Sequence, residues 1–250
     1  MLTFTHVSRP TRIAMKRALF PGLDLHTRCR YHYLPRWFRP GPIDTLDAGC
    51  GNGALAYAAY RLGNRVLGVS IRSDEVQRNR EYFGSLLSNC DRLQFRQMNL
   101  YELPTIGRKF DQIVCSETLE HITRDAEVVA SFADVLRPGG VLHLCCPFAL
   151  HTSNNLGRVN GPEDGGHVRD GYTLETYQSL LARAGLQIVA CGGLGSPLLV
   201  NLDRRLSLFR GRHGDAAALP LFLVCLPLTW LDRPNPRMPL SLYVQATKPT

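Results

Sequence analysis

The chain has no uninterrupted apolar run of the roughly 18 or more residues that a bilayer-crossing helix requires. A transmembrane segment is therefore not expected. Met1 to Pro10 holds neither an apolar core nor a small-residue cleavage site, so a secretory leader is not expected either. No two cysteines have the CxxC spacing of a zinc or redox site. The eight cysteines are scattered, and a chain of 250 residues needs no disulfide staples to hold a core. Reduced thiols in a cytoplasm are the expectation. Lysine is nearly missing: there are three, so arginine supplies 26 of the 29 basic side chains. Internal repeats, low-complexity tracts and known RNA-binding motifs are missing too, which argues against a nucleic-acid partner. With 44% apolar and 20% charged residues, disorder, collagen and coiled coil are excluded. The length suits one domain with elaborations.

The charge that is present is uneven. The whole chain carries +8, and residues 1–40 hold eight basic residues against Asp24 alone. Arginine forks suit phosphate and carboxylate. Either this segment meets an anionic partner or it is a solvated basic helix. Thr11 to Phe20 reads as a short helix ended by Pro21-Gly22. Aromatic and basic residues then alternate in Arg28-Cys29-Arg30-Tyr31-His32-Tyr33, and Pro35, Pro40 and Pro42 break the chain. Residues 1–42 are thus a helical lead-in.

From Ile43 the pattern becomes regular. Ile43 to Ala48, Arg65 to Ser70, Leu93 to Met98, Phe110 to Ser116 and Val141 to Cys146 read as buried strands. Between them Ala54 to Leu62 has helical spacing with Gly63 as a stop, and Ser73 is placed to cap a helix opened by Asp74 and Glu75. Asp125 to Leu136 is a further helix, stopped by Pro138-Gly139-Gly140. Thr173 caps another, and Leu186 to Ala190 and Leu242 to Ala246 close the sheet. Alternating strands and helices predict an α/β fold with a doubly wound, mostly parallel sheet. Residues 148–171 form a long connection. Residues 191–240 read as an irregular cap, with an apolar stretch from Leu219 to Leu231 interrupted by Pro220 and Pro227. That stretch would be the core of the cap, an interfacial anchor or a wall for a lipophilic substrate.

The first chemical motif is Asp47-Ala48-Gly49-Cys50-Gly51-Asn52-Gly53, between the first strand and its helix. Glycines there let the backbone turn sharply and approach a ligand. Gly49, Gly51 and Ala54 also satisfy a dinucleotide pattern. Against a dinucleotide, Asp47 sits where a pyrophosphate would lie, and the second strand ends in Ser70 rather than an acid. An ammonium would suit Asp47 better. Two more motifs follow in order: Phe110-Asp111-Gln112-Ile113-Val114-Cys115-Ser116-Glu117-Thr118-Leu119-Glu120-His121-Ile122 and Leu136-Arg137-Pro138-Gly139-Gly140.

Over Asp44 to Ala190 these motifs resemble the class I S-adenosylmethionine-dependent methyltransferases. The resemblance implies a Rossmann-like seven-stranded sheet over residues 43–250 that ends in an antiparallel hairpin with Leu242 to Ala246 at the edge, an N-terminal lid over residues 1–42, a cap inserted at 191–240, and S-adenosylmethionine as cofactor. It places the cofactor on Asp47, Gly49, Cys50, Gly51, Gly53, Ser70, Asn99, Leu100 and Ser116. Ser70 and Asn99 stand where the family usually has acids; Asp74 could replace the first, and the Asn99 carbonyl can accept the adenine amino group's hydrogen bond.

Methyl transfer from a sulfonium needs in-line alignment and often a base. His121, His151 and His167 are the candidates; His143, inside an apolar strand, reads as structural. Glu117, Glu120 and His121 resemble a segment with which ubiquinone-pathway and small-RNA 2′-O-methyltransferases hold a divalent cation, which implies a metal such as Mg²⁺, with His151 or His167 as a further ligand. Arg169 and Tyr172 could orient an acceptor or merely tie down the loop. Arg30, Tyr31 and Tyr33 could reach an acceptor from the lid. The expectation is O-methylation of a small molecule, anionic or lipophilic, by a cytoplasmic enzyme that could be a homodimer. N- or C-methylation, RNA methylation and a non-catalytic cofactor-binding subunit are the alternatives.

Overall fold

The computed structural model describes residues 19–87, 90–154, 162–232 and 235–250. The helix expected over Thr11 to Phe20 lies almost wholly outside them, as do Arg9, Arg12, Lys16 and Arg17. Seven strands form one sheet: β1 (Asp44–Ala48), β2 (Arg65–Ser70), β3 (Leu93–Gln97), β4 (Phe110–Ser116), β5 (Leu136–Pro147), β6 (Gln187–Leu194) and β7 (Ser241–Thr247). Their order is β3-β2-β1-β4-β5-β7-β6, parallel except for β7, which runs antiparallel to both β5 and β6. β7 is therefore interior, not the sheet's edge as expected; β6 is the edge. The sheet reverses direction of winding between β1 and β4, and ligands of open α/β sheets bind at the carboxyl ends of such neighbours.

Among the described residues six α-helices cover the sheet: α1 (Leu25–Tyr33), α2 (Ala54–Arg61), α3 (Ser73–Leu86), α4 (Asp125–Val135), α5 (Leu174–Arg183) and α6 (Pro197–Leu228). One apolar layer joins α4 and α5 to the sheet through Val128, Phe132, Tyr177 and Leu181. The opposite layer joins α1, α2, α3 and α6 through Leu25, Ala59, Phe83 and Phe222. Thr173 caps α5 as expected, in a reciprocal box with Thr176. Ser73 does not cap α3; it is the first helical residue, and Arg72 holds the cap position without a side-chain bond. α4 stops at Val135, one residue early, because Leu136 already pairs with Phe110 as the start of β5; the Pro138-Gly139-Gly140 segment is a bulge within that strand.

Residues 191–240 are more regular than their prolines indicate. β6 runs on to Leu194, and α6 occupies most of the remainder, broken only where Gly214 leaves helical geometry at φ 82°. The lead-in is also more buried than its charge indicates. Leu25, Cys29, Leu34 and Phe38 belong to the core. Arg28 donates to the carbonyls of Gly22 and Leu19 and lies over the Phe222 ring. His143 is structural as expected: its ring meets the Tyr243 hydroxyl at 2.8 Å and the Gln112 carboxamide oxygen at 3.1 Å, and burial pushes its pKa down to about 3. All eight cysteines are free thiols.

Candidate active site

The strand tips carry two adjoining recesses. One, of about 280 Å³, is bounded by the glycine turn, Ser116, Glu117 and, from α1, Thr27 and Arg30. The other, of about 360 Å³, runs from Ser70 past Asn99 and Leu100 to Glu117 and His121. Gly49, Gly51 and Glu117 border both.

The glycine turn is shaped by two different demands. At Gly49 a Cβ would lie 2.2 Å from the Thr118 hydroxyl, so only glycine lets the turn pack against the segment after β4. At Gly51, φ is +49° and a Cβ would meet no protein atom within 4 Å. The space there is ligand space. Gly53 holds the N-cap position of α2 at φ 74°. Asp47 is buried, and its Oδ2 accepts the Ala56 N–H at 2.8 Å. Burial outweighs that bond and pushes its pKa up to about 7. A cation in the recess would reverse the shift. Cys50 is also buried, and burial pushes its thiol well up, so it contributes shape and not a nucleophile.

At the tip of β2 the Ser70 hydroxyl donates to Glu75 Oε2 at 2.7 Å and accepts the Arg72 N–H at 3.1 Å. Glu75 lines the recess. Asp74, the expected substitute, points outward instead and pairs with Arg72 and Arg78, both at 2.9 Å. At the tip of β3 the Asn99 carboxamide oxygen accepts the Tyr101 N–H at 3.1 Å, which fixes the side chain where it borders the recess beside Leu100.

The segment after β4 divides the three expected metal ligands. Glu117 has φ 51°, an αL geometry uncommon outside glycine, and turns towards α1. Its Oε2 pairs with Arg30 at 3.1 Å and its Oε1 accepts from the Ser241 hydroxyl at 2.9 Å. His26 closes this into a ring. It contacts Ser241 at 3.1 Å and Arg30 at 3.1 Å, and burial and Arg30 push its pKa down to about 4, so the ring holds it neutral. Glu120 points the other way. It is fully buried, neither carboxylate oxygen has a hydrogen-bond partner, and burial with the nearby Glu117 charge pushes its pKa up to about 8. His121 Nε2 lies 3.7 Å from Glu120 Oε1, while its Nδ1 faces the Gly166 carbonyl at 3.0 Å. His167 joins edge-on, with ring centroids 4.7 Å apart. Ligand atoms of Glu120, His121 and His167 all lie within 4.8 Å of one another. The group that can hold a cation is therefore Glu120, His121 and His167. Glu117, expected in it, is held away by Arg30.

Several expected site residues are used elsewhere. The His151 Nδ1 accepts the Ser153 N–H at 3.1 Å in the turn after β5, and the residue borders neither recess. Arg169 pairs with Asp125 and donates to the Ile122 and Thr123 carbonyls, while the Tyr172 hydroxyl donates to Asp125 at 2.7 Å. Both tie the long connection to the start of α4. The Tyr33 hydroxyl donates to the Asp232 carbonyl, and Tyr31 packs edge-on against Phe20; they line a separate groove between α1 and α6. Of the three lid candidates only Arg30 reaches the strand tips. Sequence reasoning missed Glu75, Thr27, His26, Ser241 and Glu163. Glu163 accepts from the Tyr101 hydroxyl and the Thr123 N–H, both at 2.6 Å, and borders the larger recess.

A family model described as a methyltransferase domain matches residues 46–144. The chain is 28% identical over 174 residues to the ubiquinone biosynthesis O-methyltransferase of Xanthomonas axonopodis pv. citri, covering 66% of this chain and 71% of that protein. It is 34% identical over 149 residues to the 27-O-demethylrifamycin SV methyltransferase of Amycolatopsis mediterranei, covering 57% and 53%. The chain spans about half the length of that relative and less of some others, such as 46% of the rat ubiquinone biosynthesis O-methyltransferase. A crystal structure of an S-adenosylmethionine-dependent methyltransferase from Mesorhizobium loti has the same fold, with a TM-score of 0.60 at 20% identity, over 90% of this chain and all of that one.

Proposed function

Because the chain belongs to the class I S-adenosylmethionine-dependent methyltransferases, we propose that it moves the cofactor's methyl group to a hydroxyl oxygen of an uncharged small molecule. The observation that carries this is the Glu120–His121–His167 group, a buried acid without hydrogen-bond partners beside two imidazoles, of which His121 borders the larger recess. A neutral hydroxyl is a poor nucleophile and needs such help; an amine does not.

The cofactor would be held along both recesses. Asp47 would hold its ammonium, and Arg30 and Thr27 from α1 its carboxylate. Glu75 and Ser70 would hold its ribose hydroxyls, and Leu100 and Asn99 its adenine. Opposite charges at Asp47 and Arg30 would orient the methionine end in one sense only. Ser116, Glu117 and His121 would then border its sulfonium methyl, the electrophile that the cofactor would supply to the acceptor oxygen, with sulfur leaving as a neutral thioether. Without a cation on that nitrogen, His121 Nε2 would take the hydroxyl proton, its lone pair being available when Nδ1–H is donated to the Gly166 carbonyl.

The donor set of one carboxylate and two imidazoles fits a divalent cation, and the unpartnered Glu120 oxygens supply the charge one would take. Such a cation, Mg²⁺ or a transition ion, would lower the pKa of the acceptor hydroxyl. The lining also bears on the acceptor. Glu75, Glu117 and Glu163 border the larger recess, and the one arginine among its described lining residues, Arg72, pairs with Asp74. That lining disfavours the anionic acceptor expected from the basic lead-in. Incubation with methyl-¹³C-labelled cofactor and a panel of neutral phenols and polyols should give methyl signals at the O-methyl position. Transfer to amines alone would overturn the reading.

A further inference from the structure

From Ala216 to its end at Leu228, α6 has a solvent face with no polar side chain. Residues 216–231 contain no charged residue. Ala218, Phe222 and Cys225, at helical spacing, are buried against the α1 layer, and Arg28 of α1 stacks on Phe222. The opposite face is made of Pro220, Leu223, Val224, Pro227 and Leu228, continued by Leu231 in the turn after the helix, all exposed. Leu223, Val224 and Leu231 are 56%, 65% and 66% exposed. Single exposed apolar residues need no explanation, but a face of six does.

The first half of α6 supplies the charge. Leu199 and Leu206 are its buried stripe, and Asp203 accepts the Leu25 N–H at 2.9 Å, so its inner side is also fixed on α1. Its outer side carries Arg204, Arg205 and Arg212, all exposed and without an acidic partner among the described residues, together with exposed Leu208 and Phe209. Asp215, which follows them, pairs with Arg210 at 3.8 Å.

We propose that α6 is a membrane-surface element: the apolar face of its second half enters the interface of an anionic bilayer, and Arg204, Arg205 and Arg212 rest on the lipid phosphates. An apolar face flanked by arginines is the composition of a helix lying in the plane of the interface. No helix among the described residues is long and apolar enough to cross a membrane, so the element lies on the surface and does not span it. A second copy of the chain is the weaker occupant, because two copies meeting across this face would bring their arginines together without acids between them.

The test uses the full chain and vesicles of phosphatidylcholine with or without phosphatidylglycerol, read by flotation. The protein should float with the phosphatidylglycerol vesicles and be released by raised salt. The double variant Leu223→Asp/Val224→Asp should lower vesicle partition by about tenfold or more, and Arg204→Glu/Arg205→Glu by about tenfold. Both variants should keep the wild-type thermal shift on adding S-adenosylhomocysteine, which shows that the domain is folded. Absence of wild-type flotation, or equal flotation of the folded Leu223→Asp/Val224→Asp variant, would overturn the proposal. So would a wild-type dimer, seen by light scattering, that this variant dissociates while vesicle binding is absent.

Discussion

The strand tips fall into two halves built in opposite ways. On the side of β1, β2 and β3 the polar side chains already have partners: Asp47 on Ala56, Ser70 on Glu75, Asn99 on Tyr101, and Asn79 on the Gly51 carbonyl at 2.8 Å. On the side of β4 and β5 Glu117 and His121 have partners too, but other buried groups do not. The Ser116 hydroxyl and both Glu120 oxygens are buried without hydrogen bonds. A half whose groups are satisfied can receive a cofactor of fixed shape with little rearrangement. A half that carries an uncompensated acid holds free energy that only a proton, a cation or an acceptor can release. Binding and chemistry are therefore separable by substitution, and four experiments test how sharply.

The largest effect is expected at Gly51. Gly51→Val places a branched side chain in the space bordered by both recesses, touching no other part of the protein. Affinity for S-adenosylhomocysteine should fall by at least about a hundredfold by calorimetry, with a modest loss of stability from the left-handed backbone. A folded variant with unchanged affinity would remove the cofactor from this turn.

Next is Glu120→Gln, which keeps the shape and removes the charge. Turnover should drop by about 10²-fold or more while S-adenosylhomocysteine binds as before. Chelation should bring the wild type to the same level, and Mg²⁺ should restore the wild type but not the variant. Full wild-type turnover in excess chelator would leave His121 as the base and Glu120 without a cation.

The third effect is a pH dependence on the cofactor side. Asp47 binds an ammonium only as carboxylate, and burial sets its pKa near 7 in the empty site. Cofactor affinity should therefore be flat above about pH 7 and weaken by up to about tenfold per unit below it. Asp47→Asn should bind more weakly and show no such slope. An equal slope in the variant would assign the titration to another group.

The smallest effect is expected at Tyr172. Tyr172→Phe loses the bond to Asp125, about 1 kcal/mol, so the melting temperature should fall by about 3 °C while KM for the acceptor stays unchanged. A raised KM would return Tyr172 to the substrate site.

These residues also mark how far the sequence was legible. The glycine turn and the parallel strands could be read because both depend on local rules, backbone turning at glycine and uninterrupted apolar runs. Glu75 was missed in favour of Asp74, although the pattern contained the answer. Val76, Asn79, Phe83 and Leu86 are the buried stripe of α3. Glu75 is four residues before Asn79 and shares its face, whereas Asp74 is four before exposed Arg78. Glu117 could not have been read, because its direction is set by Arg30, 87 positions away in the chain. α6 was read as irregular because prolines usually break helices. Here Pro220 and Pro227 lie on the outer face of a helix held by Ala218, Phe222 and Cys225 from the other side.

The ring of Arg30, His26, Ser241 and Glu117 has a consequence for the life of the chain on the ribosome. Sequence distance between His26 and Ser241 is 215 residues. Ser241 opens β7, the strand that also fills the gap between β5 and β6. While β7 is still inside the exit tunnel, α1 can fold against its neighbours, but the clasp that seats Arg30 and Glu117 lacks its hydroxyl bridge and β5 has an open edge. The site is thus completed only when β7 is in place, by the same strand that closes the edge of β5 against pairing with other nascent chains.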